Sequence, residues 1–214
     1  MAVKIKICGI NDKKSLEAAN NADYIGFVFY QKSPRFITAL KAKELCQTFQ
    51  ISPKKVGLFV NADINLIEHI VDFVGLDYIQ LHGDETLDFI FSVKEKLSVP
   101  IIKAVRIKTS EDIIDSQKFN DCCDMLLFDT KDEKRKVFGG SGIPFDWKLL
   151  RNYKTTKKWI LAGGLNIKNI QKAIKLINPP ILDISSGVEK ELGVKCEKKI
   201  RNLINYVKQN EFLQ

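Results

Sequence analysis

Residues 3–29 read VKIKICGINDKKSLEAANNADYIGFVF and contain two apolar runs separated by a polar, amphipathic stretch. The runs VKIKIC (3–8) and YIGFVF (24–29) have the length and the β-branched and aromatic content of strands. The stretch between them, DKKSLEAANN (12–21), predicts a helix. Strand, helix and strand in this order predict a βα unit, the building block of parallel sheets.

The same pattern continues along the chain. Six further strand candidates follow: KVGLFV (55–60), YIQLHG (78–83), PIIKAV (100–105), DMLLFD (124–129), KWILAGG (158–164) and ILDISS (181–186). Each is followed by an amphipathic helix candidate, as is YIGFVF: TALKAKELCQTF, DINLIEHIVDFV, DETLDFIFSVKEKL, SEDIIDSQKF, PFDWKLLR, NIKNIQKAIKLI and KCEKKIRNLINYVKQ. Several of the helix candidates begin with an N-cap residue, namely Asp12, Thr38, Asp63, Asp84, Ser110 or Asn166.

Eight strands alternating with eight helices in 214 residues predict a compact α/β fold, the (β/α)₈ TIM barrel. A doubly wound open sheet would show the same alternation, but usually with fewer parallel strands at this length. The chain contains no low-complexity linker, so we expect residues 1–214 to form a single barrel domain.

The composition is that of a globular protein, with 45% hydrophobic and 28% charged residues. No apolar run approaches the roughly 18 residues that are needed to span a bilayer. Lys4 and Lys6 interrupt the first apolar run, which argues against a signal peptide. We therefore expect a cytoplasmic protein without a membrane partner.

The net charge of +8 comes from lysines dispersed along the chain, which favours a solvated surface over a nucleic-acid site. We therefore expect no nucleic-acid partner. The number of cysteines is odd, they form no CxxC pair, and none stands in metal-ligand spacing to His69 or His82. Neither a disulfide framework nor a metal site is predicted from the five cysteines Cys8, Cys46, Cys122, Cys123 and Cys196.

Polar residues follow most of the predicted strands, where barrel enzymes place their chemistry. Cys8 follows the first strand, and a cysteine there is by default a small apolar filler. Asp129 ends the apolar run MLLF, where an unpaired carboxylate is costly and needs a partner or a task. An acid and a base facing each other over a sugar phosphate would suit an aldose to ketose isomerisation. Further strand-end candidates are Arg35, Asn61, His82, Arg106, Gly163, Gly164, Asp183, Ser185, Ser186 and Gly187.

Glycine-rich turns follow the last two strands, as AGGLN (162–166) and SSGVE (185–189). In barrels the loops after strands 7 and 8 commonly form a phosphate site, because their backbone amides approach an anion closely. These turns therefore predict a phosphate site. A third glycine loop, FGGSG (138–142), is a candidate mobile lid, and no Walker-type phosphate loop is present.

Eight short motifs together resemble the phosphoribosylanthranilate isomerase family, in order over nearly the whole chain: KICG, GFVFYQKSPR, VGLFVN, QLHGDE, LLFDT, GGSGIPFDW, LAGGL and DISSGVE. The resemblance implies a cofactor-free Amadori rearrangement in tryptophan biosynthesis. Its small-molecule phosphoribosyl substrate, N-(5-phosphoribosyl)anthranilate, would become 1-(2-carboxyphenylamino)-1-deoxyribulose 5-phosphate. The chain would act as a monomer or a homodimer.

The resemblance also implies a role for each matching residue. Asp129 would be the general acid that protonates the furanose ring oxygen and opens the ring to a Schiff base. Cys8, as thiolate, would abstract the C2 proton. Arg35 would bind the anthranilate carboxylate, and His82 and Asp183 would line the pocket. The phosphate cradle would consist of Gly163, Gly164, Ser186 and Gly187.

Two residues depart from the family pattern after SSGVE. Leu192 stands where the family usually has proline, and Cys196 stands where it usually has aspartate. We therefore expect a freer loop after the eighth strand and a last helix that lacks its N-terminal carboxylate.

Three other functions stay open at this point. A histidine-pathway isomerase would carry an aspartate in the place of Cys8. An indole-glycerol-phosphate synthase would use a lysine and glutamates, and Lys6 and Lys103 do lie in predicted strands. A non-catalytic phosphosugar binder would be expected to lack Cys8 or Asp129.

Overall fold

The computed structural model describes residues 2–48, 50–131, 144–153 and 155–209. The main strands are β1 (Lys4–Cys8), β2 (Tyr24–Val28), β3 (Lys54–Phe59), β4 (Tyr78–Leu81), β5 (Ile101–Ile107), β6 (Met125–Thr130), β7 (Trp159–Leu161) and β8 (Ile181–Ile184). The helices are α1 (Lys13–Ala18), α2 (Ala39–Gln47), α3 (Ile64–Val74), α4 (Leu87–Lys96), α5 (Ser110–Ser116), α6 (Ile170–Ile177) and α7 (Glu197–Gln209). The predicted lid, FGGSG (138–142), lies outside the described residues.

The eight strands form a closed parallel barrel in sequence order. Closure is made by β1, which pairs with β2 on one side and with β8 on the other. In the closing register Lys4 lies opposite Ile181 and Lys6 lies opposite Asp183. The predicted TIM barrel is therefore confirmed, and the open-sheet alternative is wrong.

Alternation along the strands separates two apolar cores. Ile5 and Ile7 face outward and belong to the large cluster between the strands and the helices. Lys6 lies between them in sequence, is fully buried, and therefore faces the barrel interior. The interior itself is filled by a second apolar cluster that includes Tyr24, Val56, Ile102, Met125, Leu127, Ile160 and Ile181.

Side-chain caps begin several of the helices where the sequence predicts them. The carboxylate of Asp12 accepts a hydrogen bond from Ser15 N at 2.9 Å, and Thr38 and Asp63 cap α2 and α3 in the same way. Three predicted N-caps are wrong, because the N-cap residues of α4, α5 and α6 are Thr86, Thr109 and Asn169, although α5 does begin at the predicted Ser110. Two of the predicted N-cap side chains have other partners. Asp84 pairs with Arg106, and the side-chain oxygen of Asn166 accepts a hydrogen bond from Lys168 N.

The sixth βα unit lacks the helix that PFDWKLLR predicts. A 3₁₀ turn, Trp147–Leu150, takes its place and is capped by the Asp146 carboxylate, which accepts from Lys148 N. Trp147 and Leu150 are both buried. Residues three apart lie above one another in a 3₁₀ turn, so this short turn is enough to bury both side chains.

The chain after β8 forms a 3₁₀ turn, Ser186–Val188, and then a small hairpin of β9 (Glu189–Glu191) and β10 (Val194–Lys195). Leu192 lies at the exposed tip of this hairpin, next to Gly193 with φ +81°. A carboxylate remains at the start of α7, because Glu197 lies in its first turn, so the expected loss of negative charge there is wrong. None of the helices in the described part of the chain is long and apolar enough to cross a membrane.

Candidate active site

One pocket at the carboxyl ends of the strands brings together most of the predicted site residues. Seven of them line it: Cys8, Arg35, His82, Asp129, Gly163, Asp183 and Ser186. They come from the ends of six different strands or the loops that follow, which is the usual way in which barrel enzymes build a site. Gly164 and Gly187 do not line this pocket, although both lie in the adjoining loops after β7 and β8.

Cys8 lies at the end of β1 with its thiol buried beside the ammonium of Lys6. Gly26 of β2 provides the space for both, because a Cβ on Gly26 would lie 2.9 Å from Cys8 Sγ and 3.3 Å from Lys6 Nζ. Burial raises the pKa of the Cys8 thiol, and the nearby Asp183 carboxylate adds to the rise, while Lys6 and Lys195 oppose it. The free thiol therefore holds its proton more firmly than an exposed cysteine does.

The ammonium of Lys6 is held by Asp183 of the neighbouring strand β8. Lys6 Nζ donates to Asp183 Oδ2 at 3.0 Å. Burial opposes the charge on Lys6, but the attraction of the Asp183 carboxylate and of Cys8 outweighs it, so the pKa of Lys6 lies above its usual value. Lys6 is therefore a fixed positive charge inside the barrel.

Asp129, at the end of β6, faces the ring of His82 across the barrel. The Asp129 Oδ1 accepts from Thr130 N at 2.7 Å, and its Oδ2 lies 3.2 Å from His82 Nε2 without hydrogen-bond geometry. On the other side of the ring, Gln80 Nε2 lies 2.9 Å from His82 Nδ1. When Gln80 donates this bond, a neutral His82 carries its proton on Nε2, towards Asp129.

Three buried polar atoms at this pocket have no hydrogen-bond partner among the described residues. They are Gln80 Oε1, His82 Nε2 and Asp183 Oδ1. Leaving a buried polar atom unpaired costs about 1–3 kcal/mol, and such atoms are rare in folded proteins. Together they give the pocket a set of hydrogen-bonding positions that a polar ligand or ordered water can complete.

Arg35 forms a buried ion pair with Glu189. Its Nε donates to Glu189 Oε1 at 2.6 Å and its Nη2 donates to Glu189 Oε2 at 2.9 Å. Lys195 Nζ also donates to Glu189 Oε1, at 2.7 Å. Burial alone would raise the pKa of Glu189, but the hydrogen bond from Arg35 and the charge of Lys195 hold it below its usual value. Arg35 keeps further N–H donors for a second anion.

The glycine loops after β7 and β8 lie against each other. A Cβ on Gly187 would lie 2.0 Å from the carbonyl oxygen of Leu165, so only glycine permits this approach. Gly163 has φ +85°, and a Cβ there would lie 2.3 Å from Thr130 Oγ1 and 3.1 Å from Asp129 Oδ1. The predicted phosphate loops are therefore adjacent to each other and to the carboxylate of β6.

A larger cavity of about 610 Å³ lies beside the pocket, between the loops after β4 and β5. Its buried Lys103 donates to Glu85 Oε2 at 2.7 Å and to the Gly83 carbonyl at 2.7 Å, and Asp84 pairs with Arg106. Of the strand-end candidates only Arg106 lines it, and none of the residues with an implied role in the reaction does. We therefore place the candidate site at the smaller pocket, where the acid, the thiol and the unpartnered polar atoms lie.

Several polar residues of the site are missing from the sequence-based set. Gln80 and Lys6 each lie two residues before a predicted site residue, His82 and Cys8, on the same strand. Since side chains two apart share a face of a strand, this spacing is a signal that could have found them. Glu189 and Lys195 lie in the hairpin after β8, and only the folded geometry places them beside Arg35.

The fold and the pocket define an enzyme of the TIM-barrel class, with an acid and a thiol at the carboxyl ends of its strands. Comparison with known proteins narrows this class. The family model described as N-(5'-phosphoribosyl)anthranilate (PRA) isomerase matches residues 5–206, and the chain belongs to this family. It is therefore an isomerase.

Curated relatives agree over almost the full length. The N-(5'-phosphoribosyl)anthranilate isomerase of Paracoccus denitrificans is 43% identical over 207 residues, which cover 95% of this chain and 96% of the relative. The enzyme of the same name from Bacillus mycoides is 43% identical over 211 residues, covering 97% and 98%.

Solved structures show the same barrel. Phosphoribosyl anthranilate isomerase from Thermotoga maritima matches with a TM-score of 0.86 and 32% identity, covering 97% of this chain and 99% of that one. A second match is a phosphoribosyl anthranilate isomerase in complex with reduced 1-(o-carboxyphenylamino)-1-deoxyribulose 5-phosphate, with a TM-score of 0.83, 31% identity and coverage of 97% and 99%.

Proposed function

We propose that this protein converts N-(5-phosphoribosyl)anthranilate to 1-(2-carboxyphenylamino)-1-deoxyribulose 5-phosphate, a cofactor-free Amadori rearrangement in tryptophan biosynthesis. Family membership supports the reaction, and the reduced product bound by the solved relative supports the kind of ligand. The observation that carries the mechanism is that Cys8 and Asp129, from strands β1 and β6, line one pocket.

Asp129 is the proposed general acid. It protonates the furanose ring oxygen, and the ring opens to a Schiff base. Gly163 lies against its Oδ1, which is fixed by Thr130 N, so Oδ2 is the oxygen that faces the pocket and His82. A proton on His82 Nε2 would steady the Asp129 carboxylate after it has given up its own proton.

Cys8 is the proposed general base. As thiolate it takes the C2 proton of the Schiff base and leaves an enolamine, which tautomerises to the ketone product. Asp183 Oδ1, buried and unpartnered, is an acceptor for a ribose hydroxyl. His82 and Asp183 therefore serve as substrate-binding residues in this scheme.

Arg35 is the proposed partner of the anthranilate carboxylate. Glu189 occupies its Nε and one Nη2 hydrogen, which fixes the plane of the guanidinium. The remaining Nη hydrogens of Arg35 can donate charge-assisted hydrogen bonds to the substrate carboxylate. The ion pair with Glu189 therefore orients the Arg35 guanidinium and leaves donors for the substrate carboxylate.

The phosphate is proposed to bind at Gly163, Gly164, Ser186 and Gly187. Positive φ angles at Gly163 and Gly164 turn the chain sharply after β7, and the close approach of Gly187 to Leu165 holds the loop after β8 beside it. Backbone amides in two adjacent turns of this kind can together form a concave anion site. Gly164 and Gly187 do not line the pocket, so their proposed role is mainly to shape the two loops.

The test is an isomerase assay with substrate generated in situ from anthranilate and phosphoribosyl pyrophosphate, followed by the loss of anthranilate-type fluorescence. Turnover by the wild type is expected, and Cys8→Ser is expected to lose at least about 100-fold in kcat/KM. Cys46→Ser, which changes a thiol on α2 outside the pocket, is the matched control. Absence of turnover in the folded wild type would favour the non-catalytic phosphosugar binder.

The oligomeric state, monomer or homodimer, is also a proposal. One solved relative, from Thermotoga maritima, is described as a dimeric phosphoribosylanthranilate isomerase from which monomers were generated. Analytical ultracentrifugation of the full chain at assay concentration distinguishes the two states. The single domain over 1–214, the cytoplasmic location and the absence of metal, nucleic-acid and membrane partners stay predictions.

A further inference from the structure

Lys6 is a fully buried charged side chain that the proposed mechanism does not use. Burying an ammonium is costly unless the charge is paired, so a lysine in the barrel interior needs a reason. Asp183 provides one partner, at 3.0 Å from Lys6 Nζ. An apolar pair of similar size would fill the same space at less cost, so packing alone does not explain the two charges.

The ammonium of Lys6 lies beside the thiol of Cys8. Both atoms border the empty position above Gly26, where a Cβ would lie 2.9 Å from Cys8 Sγ and 3.3 Å from Lys6 Nζ. The ammonium has three donors, and the bond to Asp183 uses one. Gly26 therefore leaves room for a direct contact between the charge and the sulfur.

Three charged groups act on Cys8 from the elements around it: Lys6 from β1, Asp183 from β8 and Lys195 from β10. Lys195 is engaged elsewhere, since its Nζ donates to Glu189 Oε1 at 2.7 Å and to Ser185 O at 3.0 Å. Among the opposing influences on the thiol, the charge of Lys6 is the largest. The cation that is placed to balance a negative sulfur is therefore Lys6.

We propose that Lys6 is a positioning residue for the general base, and that its ammonium, anchored by Asp183, is the counter-charge of the Cys8 thiolate. This inference rests on the proposed function and deepens it. Cys8 releases its proton to solvent before the substrate binds, and Lys6 keeps its own proton throughout. The thiolate then accepts the C2 proton, which returns the pair to ammonium and thiol.

The experiment measures the rate of alkylation of Cys8 by iodoacetamide in the substrate-free protein, from neutral to alkaline pH, with the Cys8 peptide quantified by mass spectrometry. In Lys6→Met the midpoint of this profile is expected to rise by about one pH unit or more, because the thiolate loses its counter-charge. Lys103→Met is the matched control, a second buried barrel lysine that is paired with Glu85 and not with the thiol. Its midpoint is expected to stay at the wild-type value.

Asp183→Asn gives the opposite sign and does not depend on the folding of Lys6→Met. Without the Asp183 carboxylate, the Lys6 ammonium interacts with the Cys8 sulfur alone, and a negative charge near the thiol is lost. The midpoint of the alkylation profile is therefore expected to fall. An unchanged or lowered midpoint in Lys6→Met, or a raised midpoint in Asp183→Asn, would overturn the proposal. A structural role alone would change stability in both variants without moving the midpoint in opposite directions.

The isomerase assay separates this inference from the proposed function. If Lys6 acts through Cys8, Lys6→Met lowers kcat by about tenfold or more at neutral pH and changes KM little. A loss confined to KM would make Lys6 a substrate contact and overturn the positioning role. If the wild type turns over no substrate while the alkylation midpoints still move as expected, the proposed function fails and the Lys6–Cys8 pair stands.

Discussion

The barrel interior has two layers that are built by the same strands but differ in chemistry. In the lower layer the inward residues are apolar and buried, as Leu127 on β6 and Ile181 on β8 are. Two residues further along the same strands lie Asp129 and Asp183, which line the pocket. Since a strand advances about 3.3 Å per residue, the change from packing to chemistry takes about 7 Å. The apolar packing of the lower layer holds the strands in place, so the upper layer can keep unpaired polar atoms.

The largest expected effects come from two separate substitutions on β6, one in each layer: Asp129 in the upper layer and Leu127 in the lower one. Asp129→Asn is expected to lose at least about 100-fold in kcat/KM, because the amide cannot supply the proton, while the stability changes little. Leu127→Ala is expected to lower the free energy of unfolding by about 2–5 kcal/mol through the cavity it leaves. Steady-state kinetics and urea unfolding of both variants test this division. Asp115→Asn, an exposed carboxylate on α5, is the control. Full activity in Asp129→Asn would show that Asp129 is not the general acid.

The next effect concerns the rim of the upper layer, where Arg35 meets Glu189. Arg35→Lys keeps the charge but loses the planar fork, so KM is expected to rise by about 10- to 100-fold with kcat changed much less. The measurement is a substrate titration of the variant beside Arg151→Lys, an exposed arginine. A fall in kcat with KM unchanged would show that Arg35 acts on the transition state rather than on binding.

The pH dependence of the reaction is also expected to come from the upper layer, because the proposed base, Cys8, lies there. Burial raises the pKa of the Cys8 thiol, and the base must be deprotonated to act. The sign follows directly: kcat/KM is expected to climb with pH through the neutral range, by up to about tenfold per unit. A pH–rate profile measures it. A kcat/KM profile that is already level below neutral pH would contradict a raised thiol pKa in the free protein, because kcat/KM reports the groups of the free enzyme.

The smallest effect is expected at the glycine loops. Inorganic phosphate should raise the apparent KM by about a few-fold without changing kcat, because it competes for the backbone amides alone. Gly187→Ala should weaken this inhibition, since its Cβ would force the loop away from the Leu165 carbonyl. Inhibition curves for the wild type and the variant are compared. Non-competitive inhibition would place the anion outside the substrate site.

Much of this architecture could be predicted from the sequence, because each strand is an apolar run. In a parallel barrel the carboxyl ends of all strands lie on the same face. Cys8, His82, Asp129 and Asp183 were found by their position at strand ends alone, and the structure gathers them in one pocket. The substrate was supplied by the family resemblance, since no spacing of residues names a sugar. PFDWKLLR forms a 3₁₀ turn instead of the predicted α-helix, and the sequence did not distinguish the two because a buried pair three residues apart fits either.

The partners of the charged residues were beyond sequence reasoning for a different reason. Lys6 shows its inward direction by its spacing from Cys8, but its counter-ion Asp183 stands 177 positions away. Only the register between β1 and β8 brings the two together. Arg35 and Glu189 are likewise 154 positions apart. Such pairs depend on closure of the barrel, which local patterns do not record.

The pairing of β1 with β8 determines when the site can form during synthesis of the chain. Ser185, whose hydroxyl donates to the Cys8 carbonyl, leaves the ribosome 177 residues after Cys8. Until β8 arrives, the thiol has neither the burial nor the charges that set its chemistry, and it behaves as an ordinary exposed cysteine. Contacts between distant parts of a chain form slowly. The reactive centre therefore cannot mature before β8 has been synthesised and has paired with β1.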